Sequence, residues 1–373
     1  MALADIAPAL LEDWLRTRYF TAKTDISSSG MAPGSLAGLR QQVGLEWSEL
    51  DALDFRDSPS QGGARLRHAL AERFVPGAED RVMVTNGSSE ALFLTLAALI
   101  RQDDEVVVVR PAYQSLYSPA VALGARLRFW DLAPEDDFVP DLAALERVLT
   151  PRTKLVIVNF PHNPTGATLT PEQYREFTSL ISRHGCYLLW DGAFGELTHG
   201  QDPLPDPSGE LARCVSTGTL SKSYGLPGLR VGWCFAPAEL LPEMVRVRDY
   251  LTLNVSPLNE TVAAAAVEHA DSLLAVQRAR AGRGRNVLTR WAARHPGLVA
   301  LPPPHGGVCA FPALRGVPDV TAMADRLARE HGVLVAPGEC FGHDDRVRIG
   351  FGGDIEELDE GLRVLAEQAG PVR

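Results

Sequence analysis

The feature that most constrains this chain is a set of short, almost wholly apolar runs at Glu105–Val109, Lys154–Phe160 and Tyr187–Trp190. A strand with one face in water alternates apolar and polar residues, whereas a run apolar throughout is buried on both faces. Helical stretches lie among them. Glu90–Ile100 is apolar on most sides and free of Gly and Pro, and Pro171–Arg183 has proline in its first turn. Strands alternating with helices predict an α/β fold with a mostly parallel sheet covered on both faces.

A length of 373 residues exceeds what one hydrophobic core usually serves, so two closely packed domains are expected. Glu260–Arg280 reads as a helix bridging to a smaller α/β portion, with strands at Gly306–Pro312, His331–Pro337 and Arg346–Phe351. Ile26–Gly63 is Gly- and Ser-rich without a clear period and reads as loop and arm.

A formal charge of -11 repels phosphate backbones, so neither nucleic acid nor an anionic membrane is expected as a partner, and a cationic substrate suits the sign. Five dispersed cysteines without a C-x-x-C pair argue against structural zinc or a disulfide framework, so no metal is expected. No apolar stretch reaches 18 residues, and residues 1–30 lack a basic start followed by an apolar run. A cytoplasmic protein is the expectation.

Six short segments carry chemistry. Thr219-Leu220-Ser221-Lys222 is followed by a Gly-rich stretch and Arg230. A partly desolvated lysine can attack an aldehyde, while Thr219, Ser221 and Arg230 can hold a phosphate. A surface lysine beside a glycine-rich loop would look the same. Asn86-Gly87-Ser88-Ser89 precedes a strong helix and suits either an anion site or an ordinary N-cap. Pro161-His162-Asn163-Pro164-Thr165-Gly166 follows an apolar strand, where ligands bind in open α/β sheets, and Asn163 can donate from its stiff turn. Asp191 ends another apolar strand and calls for a cationic partner or a turn to cap. Tyr113 ends a third, placed to stack on a planar ring or to fill the core. Arg348 lies in an apolar strand and needs an anion, supplied by a substrate carboxylate or by an internal Asp or Glu.

Together and in this order, over roughly residues 25–365, these segments resemble fold-type-I pyridoxal-phosphate (PLP) enzymes of the class I/II aminotransferase family. The resemblance implies the PLP-dependent transferase fold, a mostly parallel sheet with a smaller α/β C-terminal domain, and a homodimer. The implied organisation is an N-terminal arm and part of the small domain at 1–45, a large PLP-binding domain at 46–255, and a small domain at 256–373. By the same resemblance Lys222 forms the Schiff base and shuttles protons, Asp191 pairs with the pyridine nitrogen, Asn163 contacts the ring oxygen and Tyr113 stacks on the ring. Ser88, Ser89, Thr219, Ser221 and Arg230 hold the phosphate. Arg348 binds the substrate carboxylate, with the Ser28-Ser29-Gly30 turn closing over it.

Two positions depart from the family pattern. Phe194 stands where the family has a tyrosine bonded to the ring oxygen, and Asp57 where a tyrosine reaches the neighbouring subunit's phosphate. Asp57 is therefore expected to face substrate. Leu11–Arg16, Arg18–Phe20, Ala22–Gly30, Asn159–Gly166, Trp190–Phe194 and Arg248–Leu253 are similar to the capreomycidine-forming branch of the family. That branch implies elimination of the β-hydroxyl of 3-hydroxy-L-arginine, or of a further hydroxylated analogue, and closure of a cyclic guanidine in antibiotic biosynthesis. Asp25, Asp57 and Glu196 are the candidates for binding the guanidinium or assisting hydroxide loss. The alternatives are an ordinary aminotransferase, a C–S β-lyase and, outside enzymes, a PLP-binding regulatory domain.

Overall fold

In the structure, a computed structural model that describes residues 6–369, seven strands form the central sheet. They are Val82–Thr85 (β1), Glu105–Arg110 (β2), Arg126–Asp131 (β3), Thr153–Asn159 (β4), Tyr187–Asp191 (β5), Cys214–Thr219 (β6) and Gly232–Phe235 (β7). The order across the sheet is β1-β7-β6-β5-β4-β2-β3. β7 runs antiparallel to both neighbours, and the other pairs are parallel.

Alternate residues of the buried strands enter separate cores. Val106, Val108, Leu155 and Ile157 pack on one face with the Ser88–Leu99 helix. Val107, Val109, Val156 and Val158 pack on the other with Phe177 and Trp190. Full burial on both faces is the physical reason these strands carry no polar alternation. A third core brings Ile26 and Met31 from the N-terminal end together with Leu288, Trp291, Val347, Ile349 and Leu362. Around it Val347–Gly350 pairs antiparallel with Cys309–Ala310 and Ala336–Pro337, and Thr24–Asp25 pairs parallel with Val333–Leu334.

The segment 26–63, expected as loop and arm, contains helices at Leu36–Val43 and Trp47–Asp51. The first is defined by its ends: Ser35 accepts from the Gly38 N–H, and Gly44 closes it in the left-handed conformation. The helix expected over Glu260–Arg280 is two helices, Pro257–Glu268 and Ala270–Arg294, broken at His269. All five cysteines are free and buried. Among the described residues no helix is long and apolar enough to cross a membrane. Residues 1–5 and 370–373, the outer ends of the expected N-terminal and C-terminal spans, lie outside the described residues.

Candidate active site

Sheet register brings the chemistry to one edge. Asn159 lies opposite Asp191, and Asp191 opposite Thr217, at the carboxyl ends of three parallel strands. β7 starts where its neighbours end, with Gly232 opposite both Thr85 and Thr219. The single antiparallel strand therefore delivers Arg230 to the edge that the parallel strands reach with Asn163, Asp191 and Lys222. A cavity of about 460 Å³ opens there.

At one end of the cavity Ser88 and Ser89 begin a helix whose first N–H groups lack intrahelical partners. Gly87, at φ +77, lets Arg230 approach: a Cβ built there would sit 2.6 Å from Arg230 Nη2. A Cβ on Gly232 would lie 2.5 Å from the Ser88 nitrogen. Thr219 Oγ1 and Ser221 Oγ are 3.0 Å apart, and Arg230 Nη1 donates to Ser221 Oγ at 3.3 Å. Arg230 itself holds φ +53, a conformation costly for a residue with a side chain. The result is a cationic cradle that any added side chain would fill.

In the middle, the Asp191 carboxylate receives the Ala193 N–H at 3.2 Å and the Thr217 hydroxyl at 3.3 Å, both on Oδ1. Burial pushes its pKa up to about 6, against those two bonds and the Lys222 charge. Lys222 Nζ donates to Ser29 Oγ at 2.8 Å. Burial and the nearby Arg348 push this amine down to about 8, with Cys309 and Asp191 opposing.

Arg348 is 2% exposed. Its Nε and Nη2 donate to Ser27 O at 3.2 and 2.8 Å, and Nη1 to Asn163 Oδ1 at 3.1 Å. It forms no salt bridge among the described residues, so the internal Asp or Glu partner is not what this arginine has. A buried guanidinium with only neutral acceptors, lining a cavity, is a site for an incoming carboxylate. Because Arg348 occupies the Asn163 carbonyl oxygen, the Asn163 amide N–H₂ remains to donate into the cavity.

This set fits PLP. The cradle suits a dianionic phosphate, the buried Asp191 a protonated ring nitrogen, the Asn163 amide a ring oxygen and Lys222 the aldehyde. Tyr113 lines the same cavity, its phenol pushed up to about 12 by burial and donating to Glu12 Oε1 at 2.8 Å.

Ser28 and Ser29 line the cavity, whereas Gly30 does not and donates its N–H to Ser28 Oγ at 3.2 Å. The other acidic candidates do not line this cavity in their own chain. Asp25 accepts from the Ser27 N–H and hydroxyl, so it shapes the local turn and does not line the cavity. Asp57 is exposed and receives only Asn254 Nδ2 at 3.4 Å, outside the cavity of its own chain. Glu196 is held by Arg73 and the Tyr224 hydroxyl and lines a neighbouring cavity. For Asp25 and Glu196 a nearby N–H, hydroxyl or cation, invisible in the sequence, occupies the carboxylate.

Sequence reasoning missed Leu11, Glu12, Leu15 and Tyr19, which line the cavity from the Leu10–Arg16 helix and the turn after it. The apolar i, i+4 pair Leu11 and Leu15 was the available signal. Ser27, whose carbonyl receives Arg348, was missed because a backbone acceptor has no residue signature.

Phe194 is buried beside the site, with its ring centroid 5.8 Å from Lys222 Nζ. It cannot donate to a ring oxygen. The Lys222–cofactor linkage is therefore expected to hold its proton to higher pH than in Phe194→Tyr, since the added hydroxyl stabilises the deprotonated form. Titrating the visible absorbance of the two holoproteins checks this; a midpoint unchanged or raised in the variant contradicts it.

This fold with this site is that of a PLP-type transferase, and the chain belongs to the class I and II aminotransferase family, whose model matches residues 54–365. Among its relatives is a capreomycidine synthase of Streptomyces vinaceus, 53% identical over 364 residues, 97% of this chain and 94% of the relative. The crystal structure of the PLP-dependent cyclase OrfR in complex with Au superposes with a TM-score of 0.91 at 42% identity, covering 97% of this chain and 98% of that one. The arginine–pyruvate transaminase AruH of Pseudomonas aeruginosa is more distant, 29% identical over 82% of this chain and 80% of its own.

Proposed function

We propose that this chain is a PLP-dependent cyclase that removes the β-hydroxyl of 3-hydroxy-L-arginine, or of a hydroxylated analogue, and closes a six-membered cyclic guanidine. The product on this reading is capreomycidine or hydroxycapreomycidine, made for antibiotic biosynthesis. The observation that carries the reading is the end-to-end likeness to a capreomycidine synthase, 53% identical over 97% of the chain.

When bound, PLP supplies an electron sink that lets the Cα proton and then the β-hydroxyl leave. Lys222 takes the Cα proton and later returns one. Asp191 keeps the ring nitrogen protonated, Asn163 and Tyr113 hold the ring, and Ser88, Ser89, Thr219, Ser221 and Arg230 hold the phosphate. Arg348 fixes the substrate carboxylate, so the side chain extends toward the cavity mouth. A guanidine nitrogen folded back onto Cβ closes the ring within one molecule, which avoids the entropic cost of bringing two together.

A homodimer fits the family. Exposed Phe55, Tyr250, Leu251 and Leu253 lie near Asp57 and Asn254 in sequence and offer an apolar surface for a second copy. The third core, fed by both ends of the chain, supports a small domain built from an N-terminal arm and a C-terminal portion around a large domain. A cytoplasmic location completes the proposal.

Product analysis of the holoenzyme with 3-hydroxy-L-arginine and no keto acid is the test. The expected product is cyclic and one water lighter than the substrate. Turnover that requires a keto-acid acceptor would make the chain a transaminase, in line with its arginine–pyruvate relative. A dehydrated product that opens to a keto acid and ammonia would make it a lyase.

A further inference from the structure

We infer that Glu12, on the Leu10–Arg16 helix, is the carboxylate that binds the substrate's guanidinium and sets the preference for a cationic side chain. The inference rests on the reading above that the substrate is an arginine derivative.

Charge leaves little choice. The side chains lining the cavity include three cations, Lys222, Arg230 and Arg348, and two carboxylates, Asp191 and Glu12. Arg230 is committed to the phosphate cradle and Arg348 to the substrate carboxylate. Asp191 sits at the buried end, bonded to Ala193 and Thr217, where the ring nitrogen would lie. A substrate anchored at Arg348 brings a second positive charge toward the mouth, where Glu12 is the carboxylate present. Of the carboxylates expected from the sequence to do this, Asp25 and Glu196 are bonded elsewhere, and Asp57 is exposed outside the cavity of its own chain.

Glu12 is also preorganised. Tyr113 donates to its Oε1 at 2.8 Å, and among the described residues it forms no salt bridge and receives no other side-chain hydrogen bond. One oxygen is thus steered from the face of the site while the other is available to a guanidinium N–H. The helix that carries it is fixed to both sides of the cavity. Trp14 Nε1 donates to Val335 O at 2.9 Å, Leu11 packs in the core beside the sheet, and Arg18 stacks over Trp14 at 3.9 Å while bonding Asp325 at 2.6 Å. Leu11, Leu15 and Tyr19 line the same cavity as the carboxylate, giving the methylene chain of an arginine-like substrate apolar contact. The net acidity of the chain acts in the same direction at longer range.

The test is titration calorimetry of the holoenzyme and of Glu12→Gln with L-arginine and with L-citrulline. Neither amino acid has a β leaving group, and citrulline replaces the guanidinium with a neutral urea of nearly the same shape. The wild type should prefer arginine. In Glu12→Gln, which keeps an oxygen for Tyr113, arginine should bind about tenfold more weakly while citrulline changes by less than about twofold; water at the mouth holds the effect at the lower end of the charged hydrogen-bond range. Equal weakening of both ligands would mean that Glu12 only supports the fold, and unchanged arginine affinity would mean that it does not touch the guanidinium; either overturns the inference. The proposed cyclisation can fail separately: a wild type that gives no cyclic product from 3-hydroxy-L-arginine refutes that reading, while the arginine–citrulline contrast reports on Glu12 alone.

Discussion

Replacing Lys222 with alanine is expected to lower turnover of 3-hydroxy-L-arginine by on the order of 10³–10⁴-fold, the upper range for loss of a positioned acid–base group. The effect is larger than at neighbouring positions because no other side chain can substitute. Nζ is partly buried and held by Ser29 Oγ at 2.8 Å. The remaining cavity cations, Arg230 and Arg348, are guanidinium groups that donate to Ser221 and to Ser27 and Asn163 and offer no acceptor for the Cα proton. The variant should also lose covalently retained cofactor, which borohydride reduction and peptide mapping would register as a missing label at Lys222. A pH dependence accompanies this. Burial and Arg348 disfavour the ammonium and push the pKa down to about 8, so the neutral amine dominates above that pH. Capture of free PLP by the apoprotein should therefore quicken as pH rises toward 8 and level off beyond it. A variant with most of its turnover, or a wild-type label on Lys23 or Lys154, would contradict the assignment.

The second large effect is expected at Arg348. Arg348→Ala should lower kcat/KM by roughly 10²–10³-fold, the magnitude of losing a paired, charge-assisted contact to a carboxylate in a buried site. Arg348→Lys should recover little, because an ammonium cannot donate to Ser27 O and Asn163 Oδ1 while also presenting two parallel N–H groups. Removing the guanidinium also frees the Asn163 side chain, so a lower affinity for PLP should accompany the kinetic loss. Comparing the substrate with its decarboxylated amine separates the two consequences. The variant should lose its preference for the carboxylate-bearing molecule, and a preference retained within about threefold would contradict the role.

Much of this site was legible because its residues sit where strand patterns break. Asp191 and Asn163 end or follow fully apolar strands, and a polar residue there is costly unless it serves a purpose. Lys222 and Arg230 lie within a Gly- and Ser-rich stretch with neither a helix nor a strand period. The other four strands of the sheet were harder to read, since β3 begins with Arg126-Leu127-Arg128 and β6 is rich in Ser, Thr and Gly. The helices at Leu36–Val43 and Trp47–Asp51 are short and depend on their caps more than on periodicity. The acidic residues show the limit most clearly. Asp25, Asp57, Glu196 and Glu12 are alike in sequence, and only the chain's return in space decides which face the cavity. Glu12 reaches it because Trp14 bonds Val335, more than 300 positions away.

Cyclisation without net amino transfer is read from the mass and label of the product formed from 3-hydroxy-L-arginine in heavy water with no keto acid present. Protons on the Lys222 amine exchange with solvent, so the group that returns a proton to Cα returns deuterium. The expected product is cyclic and lighter by one water, carries a single non-exchangeable deuterium at Cα, and forms with no accumulation of the pyridoxamine form. A product formed only with added keto acid, in stoichiometric exchange for its amino group, would contradict it.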